Sequence, residues 1–154
     1  MLTFENYLTD IPFLIAGIPL TIGISIGAFF CGVIISLPMA VIRILKTPFI
    51  NQIILGWIEF FRTTPPLVHI VWIYYVFPVA FDLRFSALTV VILALSANTS
   101  AQMAEIFRAG IQSIPRGQTE AGTVLGLNYV QRLFYIILPQ ALRLIMAPSA
   151  NTLV

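Results

Sequence analysis

Ile11 to Ile44 reads IPFLIAGIPLTIGISIGAFFCGVIISLPMAVIRI, and its only charged residue is Arg43. A membrane-spanning helix needs about 20 apolar residues to cross about 30 Å of hydrocarbon, so this stretch is ample for one span. It is too long for a cleaved leader and no basic segment precedes it, which predicts a retained helix. Cys31 is the one cysteine, so an internal disulfide is excluded, and a small, buried apolar side chain is the expectation at that position.

The whole composition agrees with a membrane setting. Hydrophobic residues make up 59% and charged residues 9% of the chain, where soluble domains carry roughly half and about a quarter. The mean hydropathy is +0.98. A second apolar stretch runs from Ile53 to about Phe81 and a third from Phe85 to about Phe107, joined by the polar turn Asp82-Leu83-Arg84. The stretch after Pro139 is short for a span and reads as incomplete unless it begins earlier, near Leu133. The expectation is an all-α polytopic bundle forming one transmembrane domain, 1–154, with spans at about 12–42, 54–80 and 86–107 and an incomplete fourth at 135–154. Basic residues in short loops favour the cytoplasm. Arg43 and Lys46 follow the first span and Arg108, Arg116 and Arg132 the third, against Arg84 alone on the other side. The N-terminus is therefore expected outside and the segment 113–138 in the cytoplasm. The net charge of +2 is spent on this topology, and no basic run argues for nucleic acid.

That cytoplasmic segment contains EAGTVLGLNYVQRLFYIILP, Glu120 to Pro139. It reads as two short helices and a turn. Ser113 is expected to cap the first, Pro115 suits its first turn, and Gly126 suits a left-handed stop, giving a helix from Pro115 to Leu125. Asn128 and Gln131 have capping-box spacing, and Leu133, Phe134, Ile137 and Leu138 follow with helical periodicity, predicting a second helix along the membrane surface. Glu120 offers a charge to a partner, while Ala121 and Gly122 leave room for its close approach.

The spacing of Glu120-Ala121-Gly122, Gly126, Ile136 and Leu138-Pro139 resembles the EAA loop of ABC importer permeases. Three further stretches resemble the polar amino-acid uptake branch of that family, the histidine/glutamine-type permeases: EFFRTTPPLV from Glu59, NTSAQMAEIFRAGIQSIPRGQTEAG from Asn98, and ILPQALR from Ile137. Gly122 departs from the usual Ala, Thr63 stands where Gly is commoner, and Pro66 doubles the proline. The resemblance implies a type I permease fold in the bacterial cytoplasmic membrane, with Glu120, Ala121, Gly122, Gly126, Leu138 and Pro139 docking on ABC ATPase subunits. It also implies a second permease subunit, same or related, an extracytoplasmic amino-acid-binding protein, and ATP and magnesium on the ATPase. Family members continue through further helices, so the end at Val154 implies a C-terminal truncation or a fragment. The alternative is a non-transporting membrane protein that keeps only the ATPase-docking loop.

Asn98, Thr99, Ser100, Gln102 and Glu105 form the densest polar cluster within an apolar stretch, and such groups are costly in hydrocarbon unless paired or wetted. Asn98, Gln102 and Glu105 can share one helix face. They are the candidate substrate pathway, with Glu105 either an acceptor for a substrate ammonium or a structural partner of Arg108. Glu59 and Arg62 have the spacing of an ordering ion pair. Pro65 and Pro66 free backbone carbonyls that neighbours or water must satisfy, predicting a kink. His69 either contacts substrate or, more simply, bonds a neighbouring helix. Trp57, Trp72, Tyr74 and Tyr75 suit interfacial anchoring. An enzyme is not indicated: one His, one Cys and six carboxylates make no nucleophile–base pair and no metal-ligand spacing. The single lysine, Lys46, follows Leu45 where a phosphate-binding loop needs Gly.

Overall fold

The computed structural model describes the backbone of residues 4–45 and 47–153. Those residues form helices and connecting turns, which we number α1 (Phe4–Leu45), α2 (Pro48–Thr63), α3 (Pro66–Phe81), α4 (Ala87–Gln112), α5 (Arg116–Val124) and α6 (Tyr129–Thr152). Three are long and apolar enough to cross a membrane, α1, α4 and α6, and α2 with α3 makes a fourth candidate bent by 105°.

The helix α4 is the central post. Of its apolar window 44% is buried, against 17% for α1 and 11% for α6. It starts where Ser86 accepts a hydrogen bond from the Thr89 N–H at 3.2 Å, satisfying one of the first-turn donors. Along α1, Ala28, Gly32, Ser36 and Ala40 recur every fourth residue and all are buried. This slim stripe lets α1 lie against α4 almost backbone to backbone. A Cβ on Gly32 would sit 2.6 Å from Thr99 Cβ and 3.0 Å from the Ser96 carbonyl oxygen. Small residues at such crossings permit the close dispersion contact that drives helix association in lipid. Cys31, next to Gly32 but off this stripe, is exposed on the chain, so its expected burial is corrected by the helical phase of the seam. On another face of α4, Ala101 and Ala104 pack with Ile54 and Ile58 of α2. A third close approach joins α6, where a Cβ on Gly110 would meet Ile145 Cγ1.

The stretch expected as a single span at 54–80 is two helices, and Pro65 and Pro66 are the reason. Neither has an N–H, so the carbonyls of Phe61 and Arg62 lose their helical donors, and the chain turns at Thr64 before Pro66 starts α3. Other prolines leave their helices unbroken, Pro19 and Pro38 in α1 and Pro148 in α6 among them, and two more follow a widened turn. Pro78 follows a π-helical turn at Trp72–Val76 and Pro139 one at Leu133–Ile137, closed by Phe77 N–H to the Trp72 carbonyl and Leu138 N–H to the Leu133 carbonyl. The wider turn moves the carbonyl four residues back out of the path of the proline ring. As a result α6 runs without interruption from Tyr129 to Thr152, 24 residues. The second surface helix and the incomplete span starting at 135 are thus one helix, long enough to cross the membrane.

Filling the α1–α4 seam tests its importance. Gly32→Val is expected to destabilise the chain by about 1–3 kcal/mol through overpacking, read as a lower unfolding midpoint in detergent, whereas Cys31→Val beside it leaves the midpoint unchanged.

Candidate functional site

Polar side chains converge where α4 faces the α2–α3 bend and the end of α6. Asn98 Nδ2 donates to the Phe61 carbonyl at 2.6 Å, replacing the donor that Pro65 cannot supply. Gln102 Nε2 in turn donates to Asn98 Oδ1 at 2.6 Å. The four-residue spacing on one helix face thus builds a relay from Gln102 to the broken end of α2. Beside it lie two adjoining cavities of about 400 and 320 Å3 that share Gln102, Asn151 and Thr152. Arg62 and Glu105 line the first, Asn98 and Thr99 the second.

Glu105 is hydrogen-bonded at one carboxylate oxygen and only ion-paired at the other. Arg108 donates to Oε1 with Nε at 3.0 Å, and Arg43 of α1 stands 3.4 Å from Oε2. The pairing with Arg108 therefore forms, and the same carboxylate borders the cavity and ties α1 to α4. The Glu59–Arg62 pair is not among the ion pairs of the described residues; Arg62 turns to the cavity instead. Ser100 points away from it. Its Oγ donates to the Ala97 carbonyl at 2.7 Å and accepts from Trp57 Nε1 at 3.2 Å. Trp57 is thus bound to α4, its ring 4.4 Å from that of Phe61 and tilted by 42°, while it stays 41% exposed. His69 is buried, with neither ring nitrogen hydrogen-bonded, so the expected bond to a neighbouring helix is absent. Arg43 was read only for topology and Arg62 only as a partner of Glu59, while Asn151 and Thr152 escaped the sequence reading. The signal for Asn151-Thr152 was two polar residues ending an apolar run.

Below this site α5 is seated on the start of α6. Leu127 N–H bonds the Gly122 carbonyl and Gly126 N–H the Thr123 carbonyl, both at 3.0 Å, with Gly126 at φ +75°. This double closure is a Schellman stop, which favours glycine at the left-handed position. The Asn128–Gln131 capping box then starts α6, with both reciprocal bonds at 2.9 Å. Ser113 does not cap α5. It ends α4, its Oγ donating to the Gly110 carbonyl at 2.8 Å, and Pro115 occupies the position before α5. Gly122 is buried against its own chain: a Cβ there would lie 2.8 Å from Ile136 Cδ1 and 2.9 Å from Arg132 Cγ. Its small size serves the α5–α6 seat, not an approaching partner. Arg132 clamps the seat by donating to the Thr119 carbonyl and the Thr123 hydroxyl. Glu120 and Ala121 are exposed, flanked by Val124 at 87% and Leu125 at 75% exposure, an apolar pair beside an acid. Leu138, whose N–H closes the π-helical turn, is half-buried, and Pro139 after it is exposed.

Residues 32–154 match the family described as binding-protein-dependent transport system inner membrane component. The L-cystine transport system permease of Bacillus subtilis is 37% identical over 93% of this chain and 61% of its own length. The glutamine transport system permease of Escherichia coli is 37% identical over 92% of this chain and 65% of its own length. Among solved structures, an amino acid ABC transporter with histidines superposes with a TM-score of 0.90 at 32% identity, covering 99% of this chain and 71% of that one. The inward-facing MetNI methionine ABC transporter shares the fold, with a TM-score of 0.75 over 94% of this chain and 70% of that one, at 21% identity. The chain spans about three-fifths of the length of the first two curated relatives, 61% and 62%.

The relay is open to a direct check. Asn98→Ala strands the Phe61 carbonyl and the Gln102 amide and is expected to cost about 1–3 kcal/mol, while Ser100→Ala, which removes the acceptor of Trp57 Nε1 and a local bond to the Ala97 carbonyl, is expected to cost about 1 kcal/mol. Denaturant midpoints of the two variants in one detergent give the comparison.

Proposed function

This chain belongs to the family of binding-protein-dependent transport system inner membrane components, and from that membership we propose that it is the pathway-forming permease subunit of an ATP-driven importer of polar amino acids. The observation that carries the reading is a polar cavity set among apolar helices, one wall of which, Asn151 and Thr152, ends the same helix on which α5 is seated. Arg62 offers a guanidinium suited to a carboxylate. Glu105, Asn98 and Gln102 offer acceptors for an ammonium group.

In this reading α5 faces the cytoplasm and docks on an ABC ATPase subunit, with Glu120 as the charged contact and Ala121, Val124 and Leu125 as the apolar one. Gly126, Leu138 and Pro139 act indirectly, by shaping the seat. ATP and magnesium belong to the ATPase, a binding protein delivers the amino acid from outside, and a second permease subunit completes the pathway. The multi-pass chain sits in the bacterial cytoplasmic membrane with its N-terminus outside. Support for the substrate class comes from the cystine and glutamine permeases it resembles.

The test is ATP hydrolysis by this chain reconstituted with an ATPase and a binding protein, with and without a panel of amino acids. One amino acid is expected to stimulate hydrolysis. Glu120→Arg is expected to weaken ATPase docking by about tenfold or more, because it replaces an acid with a repelling charge, and to abolish the stimulation. ATPase binding with no stimulation by any amino acid would instead support a docking-only membrane protein; no ATPase binding would overturn both.

A further inference from the structure

The two adjoining polar cavities are unbalanced in charge. Among the described residues Glu105 is the one carboxylate that lines them, and its charge is already taken up. Its Oε1 accepts from both Nε and Nη2 of Arg108, and its Oε2 is buried 3.4 Å from Arg43 Nη1. Two guanidiniums therefore already face one carboxylate, and Arg62 adds another on the cavity wall. Arg62 is exposed and makes no ion pair among the described residues. Glu59, one turn earlier on α2, lines neither cavity. The rest of the polar lining, Ser25, Asn98, Thr99, Gln102, Asn151 and Thr152, is uncharged. The site thus holds a surplus of positive charge between apolar helices, where low-dielectric walls concentrate the field and favour a ligand of opposite sign. At about 400 and 320 Å3 the cavities have room for a small molecule, both lying within the roughly 300–1,000 Å3 of ligand pockets.

Resting on the transport reading, we infer that this site admits amino acids with neutral or acidic side chains and turns away those with cationic ones, Arg62 being the selecting residue. Every free amino acid brings one carboxylate, which the Arg62 guanidinium can hold with two parallel hydrogen bonds. Its ammonium group needs an acceptor, and the least committed one on the wall belongs to Gln102, whose Nε2 is bound to Asn98 while its Oε1 has no donor among the described residues. A zwitterion therefore leaves the local charge as it was. A side-chain carboxylate offsets part of the surplus. A side-chain ammonium or guanidinium adds to it, and juxtaposed like charges are strongly unfavourable when no acid is free to compensate. The filter acts within the permease, after any choice made by a binding protein outside.

The test is saturation-transfer NMR of amino acids on the permease–ATPase assembly in lipid nanodiscs without binding protein, so that selection falls to the permease. Citrulline against arginine and glutamine against glutamate are pairs of nearly equal shape that differ by one charge. Arginine is expected to bind about tenfold or more weakly than citrulline, and glutamate at least as tightly as glutamine. Arg62→Lys, which keeps the charge, should keep that order, Arg62→Gln should narrow the gap between citrulline and arginine, and Arg62→Glu should reverse it. If circular dichroism shows that Arg62→Glu does not fold, Arg62→Gln and Arg62→Lys carry the comparison. Arginine binding as tightly as citrulline in the parent overturns the inference, and so does a gap that survives Arg62→Gln unchanged. If none of the four binds while an amino acid still stimulates ATP hydrolysis, this inference alone falls; if neither is seen, the transport reading falls with it.

Discussion

At Gly32 no side chain separates α1 from α4, and the arrangement of the other helices follows from that contact. In hydrocarbon the hydrophobic effect does not press helices together, so close packing and polar contacts must do so. The stripe Ala28, Gly32, Ser36, Ala40 gives α1 one slim face, and α4 meets it with Ser96 and Thr99. With α1 held on that side, α4 is left with a face for α2 around Ala101 and Ala104 and one for α6 at Gly110. The Arg43–Glu105 pair lies along the same interface. It fixes a charged group at the edge of the polar cavity without placing an unpaired charge in an apolar setting.

Prolines supply the second constraint, and two ways of accommodating them shape the site. The pair at Pro65 and Pro66 breaks a helix outright, and the freed Phe61 carbonyl is taken up by Asn98 from a different helix. The single prolines at 78 and 139 are absorbed by a widened turn immediately before them. The first solution brings an amide side chain to the polar cavity. The second keeps α6 whole, so that the seat of α5 and the cavity wall share one element. A polar amide in the membrane thereby has a structural purpose before it has any contact with substrate.

Much of this was legible in the residues. The apolar runs, the Gly126 stop and the Asn128–Gln131 box are local, set by backbone sterics and by hydrogen bonds between residues a few positions apart. The polar face of Asn98, Gln102 and Glu105 was legible too, since helical periodicity fixes which side chains align. What escaped depends on contacts across the sequence. Whether Gly122 opens toward a partner or closes on Arg132 cannot be decided from its own neighbourhood. Cys31 faces outward because of its angle to Gly32, which matters only once α1 has chosen α4. Ser100 and Trp57, 43 positions apart, carried no shared local signal, and Pro139 read as a helix boundary because the wide turn before it has no residue code of its own.

One consequence of the α6 contacts is mechanical. The helix is gripped at Arg132, touches α4 at Ile145 and ends beside the cavity at Asn151. At 1.5 Å per residue the first arm is about 20 Å and the second about 9 Å. Tilted about Ile145, α6 is a first-class lever that works at a disadvantage in travel and a gain in force. A displacement of α5 would reach Asn151 at about half its size and in the opposite direction.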